Sequence, residues 1–260
     1  MTVLHYSEFG DPDGEPVLAI HGVTAHGRRF RRLAEEGWPE RRTVAVDLRG
    51  HGDSTYDGPW SIPQHVTDLI DTLDHVRIDA ADIVSHSYGG AIALALLERA
   101  PARVRRLVLL DPALAQPGDE ASEAALRQWE PDGWATVEEA ATVRKGDLSD
   151  DIDRIGEMLA EEMDAHLEQG VDGRYRFRFH KPAVVTAWGE MSYPIPETMP
   201  SVPTLLVGAD RAPFVTPDTI AALRRIFGNH LDTAHIDCGH MLYWERFDET
   251  ATMVAGFLMR

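Results

Sequence analysis

The sequence predicts an α/β fold with a mostly parallel central sheet, helices on both faces and an inserted helical cap. Through residue 112, short apolar runs closed by turn residues alternate with amphipathic helical stretches. From 113 to 200 such runs largely disappear and acidic amphipathic stretches replace them. From 201 the alternation resumes. These observations divide the chain into a first core segment (1–112), a helical cap insertion (113–200) and a second core segment (201–260).

The first strand-like run is "PVLAIHG" (16–22), followed by "RTVAVDLRG" (42–50), "ADIVSHS" (81–87) and "RRLVLLDP" (105–112). Each is short and continuously apolar, as strands buried on both faces are. "SIPQHVTDLIDTLDHV" (61–76) opens with a capping serine and a nearby proline. It sets Val66, Leu69, Ile70, Leu73 and Val76 on one helical face. "YGGAIALALLERAP" (88–101) is a second, mostly apolar helix that Pro101 stops. Strand, helix, strand in this order calls for parallel strands joined by right-handed crossovers. The insertion carries "EASEAALRQWE", "TVEEAATVRKG" and "DDIDRIGEMLAEEMDAHLE" as helices. "VPTLLVGAD" (202–210) then returns as a buried strand, and "PDTIAALRRIFG" follows as a helix closed by Gly228. "LDTAHID" (231–237) is a further strand, and a last helix begins near "RFDETATMVAGFLM".

Bulk composition narrows the functional classes. The chain has 260 residues, 43% of them hydrophobic, which is enough to bury a large core. Its formal net charge of −18 repels the phosphates of nucleic acid and an anionic membrane surface, so neither is expected as a partner. The beginning, "MTVLHYSEFGDPDG", carries an acid by Glu8 and lacks an apolar signal-peptide core; a cytoplasmic location is the expectation. Cys238, the single cysteine, excludes an internal disulfide and a cysteine-cluster metal site.

"SHSYGG" (85–90) is the most informative stretch. A nucleophilic serine has to stand clear of its own sheet and helix, which a tight, strained strand-to-helix turn achieves. Residues two before and two after the serine then crowd together and must be small; here they are Ser85 and Gly89, with Gly90 adding room. A serine that merely caps a helix has no need of small residues on both sides. Ser87 is therefore the expected nucleophile, and Ser85 the minor alternative below the apex.

The motifs, taken together, resemble the α/β-hydrolase superfamily over nearly the whole chain. "HGVTAHG" is similar to the oxyanion loop after the third strand of that family, "DLRGHGDS" to the turn after the fourth, and "SHSYGG" to its nucleophile elbow. "LLVGAD" and "DCGHMLYWE" resemble the segments that carry the acid and the histidine. The nearest likeness is to capped esterase, lipase and peroxidase-like members.

That resemblance implies a catalytic triad in the order serine, acid, histidine. His240, after a strand and a Cys-Gly turn, has the freedom to act as the base; His230, just before a strand, and His235, along it, do not. His86 is expected to pack or hydrogen-bond beside the nucleophile. Asp210 is the expected acid, with Asp111, at the end of "LVLLD", as the alternative. Backbone N–H groups of Val23 and Tyr88 are expected to form the oxyanion hole, the loop being shaped by His21 and Gly22. Trp188, Met191 and Tyr193 are expected to line the substrate pocket. "RGHGDS" lacks the P-loop pattern, no HExxH occurs, and neither a metal nor a cofactor is expected.

The expected activity is cleavage of a carboxylic ester, or a related acyl bond, of a small hydrophobic molecule through an acyl-enzyme on Ser87. The cap's acidic helices argue against strongly anionic substrates. The same triad can serve lactone, C–C bond or perhydrolase chemistry, and a non-catalytic small-molecule binding protein of this fold is the alternative of a different class.

Overall fold

The computed structural model describes residues 1–129, 133–146 and 155–260. Seven strands form the central sheet: β1 (Tyr6–Gly10), β2 (Pro16–Ile20), β3 (Arg42–Val46), β4 (Ala81–His86), β5 (Val104–Leu110), β8 (Thr204–Ala209) and β9 (Leu231–Ile236). Their order is β1-β3-β2-β4-β5-β8-β9. All neighbours run parallel except β1, which lies antiparallel on β3 at the edge. β4, the strand that delivers Ser87, sits at the centre.

Side chains alternate across the sheet with a period of two, which splits the core into two layers. Leu18, Ile20, Val44, Ile83, Leu107 and Leu109 face one side. There they meet α1 (Ile62–His75), α2 (Tyr88–Arg99) and α7 (Pro217–Phe227) through Leu69, Leu73, Ile92, Leu96 and Leu223. Val17, Ala19, Ala45, Val84, Val108 and Leu110 face the other side. Phe30, Leu33 and Trp38 cover them, together with Tyr243 of α8 (Leu242–Glu245) and Val254 and Phe257 of α9 (Phe247–Leu258). Burial on both faces is why the central strands read as unbroken apolar runs.

Between β5 and β8 lie α3 (Gly118–Trp129), α4 (Val137–Gly146), α5 (Ile155–His166), the hairpin β6 (Leu167–Gln169) with β7 (Tyr175–Phe177), and α6 (Lys181–Glu190). Ala140, Met163 and Phe177 form a small core of their own there, with Trp134, Leu167 and Phe179 against it. The hairpin end is stitched to the turn after β3: the Gly52 N–H donates to the Arg178 carbonyl at 2.7 Å, and the His180 N–H to the Gly50 carbonyl at 2.7 Å. Glu130 and residues 150–154 of the sequence-expected helices lie outside the described residues. Among the described residues no helix is long and apolar enough to cross a membrane.

Candidate active site

At the end of β4 the chain reverses into α2 within one residue. Ser87 takes φ 55° and ψ −122°, a conformation that non-glycine residues adopt only under constraint. The constraint is visible: the Ser87 N–H donates to the Leu110 carbonyl at 3.1 Å, and its carbonyl accepts from the N–H groups of Gly90 at 2.9 Å and Ala113 at 3.2 Å. The small neighbours are needed too. A Cβ on Gly89 would collide with the Ile20 carbonyl, and one on Gly90 would sit 2.6 Å from Pro112. The Ser87 side chain makes no capping bond to α2. The hydroxyl of Ser85 is spent inside the sheet on the Val108 carbonyl at 3.0 Å, which removes it as a competitor.

His240 sits on the loop between β9 and α8. Its Nδ1 lies 2.6 Å from Oδ2 of Asp111. A carboxylate only accepts, so Nδ1 carries the proton and Nε2 is left with its lone pair, the form a general base needs. The ring is held between His86, at 4.5 Å, and Phe214, at 4.4 Å. Below it, His86 Nε2–H donates to the His240 carbonyl at 2.8 Å. Burial, and then the neighbouring His240, push the His86 pKa well below its ordinary value, so His86 stays a neutral donor.

The carboxylate beside His240 is therefore not the one expected. Asp210 points to the far side of β8, where its carboxylate is half exposed and meets His235 Nδ1 at 3.2 Å. Asp111 closes β5, the strand next to β4, and is 0% exposed. Its second oxygen accepts the Ala209 N–H at 3.1 Å, so the end of β8 supports this carboxylate. Like Ser87, Asp111 has a positive φ, 39°.

After β2 the chain passes through His21, Gly22 and Val23. His21 is fully buried: its Nδ1–H donates to the Gly22 carbonyl at 2.7 Å and its Nε2 accepts the Leu48 N–H at 2.9 Å. Gly22 is packed on the nucleophile, since a Cβ there would lie 2.7 Å from Ser87 Cβ and 3.2 Å from its Oγ. Val23 is the next residue along this loop. Tyr88, first residue of α2, has no intrahelical acceptor for its N–H, and the helix N-terminus favours negative charge there.

The three residues expected to line one pocket are divided between two. Trp188 borders a cavity of about 700 Å³ together with Thr24, Trp129, Trp134, Phe177 and Phe179. Met191 is buried in the main core beneath α2, and Tyr193 is 67% exposed; both border a separate groove of about 430 Å³ with Leu94, Ala95 and Leu114. The cause is the end of α6 at Glu190, after which the chain turns away from the first cavity. The wall is also more basic than the acidic helices suggest, since Arg127, Arg144, Arg176 and Lys181 all border it. They are partnered: Arg176 with Asp172, Lys181 with the Trp129 carbonyl, Arg144 with Glu162 and Arg127 with Glu123. Sequence reasoning missed Phe214 and the Glu162 cluster; no motif marks an aromatic in a loop or a single glutamate among many.

His5, Asp47 and Asp53 are the one trio of possible metal ligands among the described residues. Asp47 already accepts the N–H groups of Gly27 and Asp53 and a bond from His5, while Asp53 pairs with Arg178, so the group is satisfied as it stands.

A serine at a strained strand-to-helix turn, beside a strand whose end carries a buried carboxylate bonded to a histidine, is the layout of a hydrolase. The profile of the alpha/beta hydrolase fold matches residues 15–247, and the chain belongs to that family. It is 35% identical over 253 residues to Lipase LipV of Mycobacterium tuberculosis, covering 96% of each chain. To Esterase YbfF of Escherichia coli it is 26% identical, covering 95% of this chain and 94% of the other. A solved marine microorganism esterase superposes with a TM-score of 0.77 at 21% identity, covering 99% of this chain and 100% of the other, a likeness of fold. The chain is a hydrolase of the α/β fold.

Proposed function

We propose that the protein cleaves carboxylic esters of small, neutral, hydrophobic acids through an acyl-enzyme on Ser87. Ser87 Oγ attacks the ester carbonyl as His240 Nε2 takes its proton. The oxyanion of the tetrahedral intermediate is received by the N–H groups of Val23 and Tyr88. His240 then protonates the leaving alcohol, and a water molecule, activated by the same nitrogen, releases the acid. Asp111 holds the imidazole in the Nδ1–H form and stabilises it when charged.

The observation that carries this reading is the 2.6 Å bond between His240 and the fully buried Asp111 on the strand beside the Ser87 turn. In the same reading residues 113–200 act as a cap. Trp188, Trp129 and Phe179 give the acyl chain an apolar wall beside the oxyanion loop. The pairing of the basic residues on that wall supports a neutral substrate. The likeness over nearly the whole chain to a lipase and an esterase supports an ester bond over a C–C bond or a lactone.

The test is turnover of p-nitrophenyl esters of graded chain length. Measurable hydrolysis that is abolished in Ser87→Ala, with an unchanged circular dichroism spectrum, is the expected result. Activity retained in Ser87→Ala, or preferred turnover of anionic esters, contradicts it.

A further inference from the structure

Glu162 of α5 is only 2% exposed, yet it carries a carboxylate. Four groups converge on it or on its helix. Arg29 binds it through two nitrogens, Nε at 2.9 Å and Nη2, and His26 Nε2–H donates at 2.9 Å. The Arg144 guanidinium of α4 lies 3.3 Å away. His166, one turn further along α5, stacks its ring on His26 at 4.7 Å. His26 and Arg29 belong to the chain that leaves the oxyanion loop; Arg144, Glu162 and His166 belong to the insertion.

Two of these groups also end on one backbone atom. His166 Nε2–H donates to the Thr24 carbonyl at 3.1 Å, and Arg144 Nη2 donates to it at 3.4 Å. Thr24 is the residue after Val23 and holds φ 57°, a left-handed conformation that a β-branched residue keeps only where its surroundings over-determine it. The loop has neither helix nor strand of its own at this point. We propose that Glu162 and His166 are positioning residues that fix the Thr24 peptide from the cap side, and with it the direction of the Val23 N–H.

This inference rests on the hydrolase reading above. A buried ion cluster is a weak source of stability compared with apolar packing, so stability alone does not account for its placement. Geometry does: an oxyanion donor works only when aimed within a few tenths of an ångström, and rigid partners hold that aim. Burial would push the Glu162 pKa up, but the charges of Arg29 and Arg144 and the His26 bond hold it well below the ordinary range. The carboxylate thus stays charged and keeps its partners at neutral pH. Burial, and then His26, lower the His166 pKa, which keeps it a neutral donor.

The experiment counts active sites by fluorophosphonate titration and then measures kcat and KM per titrated site for an ester. Glu162→Gln and His166→Phe should each lower kcat per site by about 10- to 100-fold, less than or equal to the loss of a whole oxyanion donor, with KM within about threefold. His166→Gln, which restores an N–H donor at the same reach, should recover most of the rate. If Glu162→Gln does not fold, the two His166 variants decide. A kcat per site within about threefold of the parent in Glu162→Gln and His166→Phe overturns the proposal, as does a loss confined to KM or to the number of titrated sites. Failure of the parent to label at all overturns the proposed acyl-enzyme on Ser87 and this inference with it.

Discussion

Ser87 and Asp111 both hold left-handed backbone conformations, at φ 55° and 39°, each costing on the order of 1–3 kcal/mol. The strain is offset by hydrogen bonds to the neighbouring strand ends and by glycines that leave the space. Gly22 tests this directly. Its Cβ would lie 2.7 Å from that of Ser87, so Gly22→Ala should lower kcat by at least about 100-fold while the melting temperature moves little. Asp111→Asn turns an N–H toward His240 Nδ1 and imposes the wrong tautomer, and kcat should fall by up to about 10⁴-fold. Asp210→Asn, which loses only a half-exposed contact with His235, should stay within about threefold of the parent. The reverse order of the two variants contradicts the assignment. The strained turn at Ser87 and the loop that carries His240 were legible because small turn residues leave a pattern in the sequence. The aspartate that meets His240 was not: both candidates end an apolar strand, and only the strand order and the direction of each side chain separate them.

The core strands could be read from their continuous apolar runs, and α1 from its 3.6-residue stripe, because burial on both faces or on one leaves those periods. β1 escaped notice. It lies at the sheet edge with none of its five residues fully buried and gains its shape from pairing with β3, not from composition. The positions of Met191 and Tyr193 depend on where α6 stops, which propensity does not fix to within a turn. This division makes a prediction at the level of the cap. Trp188→Ala should change the relative kcat/KM among acyl chain lengths by about tenfold, whereas Tyr193→Ala should leave the preference unchanged. Equal effects of the two substitutions on a p-nitrophenyl ester series would put the acyl pocket elsewhere.

The molecule as a whole buries a set of histidines beneath and beside its site. Burial lowers the pKa of His51 to about 4 and of His65 to about 3, and it also lowers His21, His86 and His166. The unfolded chain takes up protons below about pH 6.5 that the folded chain refuses. Stability from this source is therefore complete above that pH and falls as the pH drops toward 4, by up to about 1.4 kcal/mol per pH unit for each residue. Urea unfolding at pH 7 and pH 5 should show the loss, and His65→Phe should make it shallower; an identical pH dependence in the variant would contradict the burial argument. The proposed activation of one serine, Ser87, by His240 and Asp111 is decided by fluorophosphonate labelling followed by peptide mass mapping. The adduct should lie on Ser87, disappear in Ser87→Ala, and form far more slowly in His240→Ala and Asp111→Asn than in the parent or in Asp210→Asn. An adduct on Ser85, or undiminished labelling of Ser87→Ala, would contradict it.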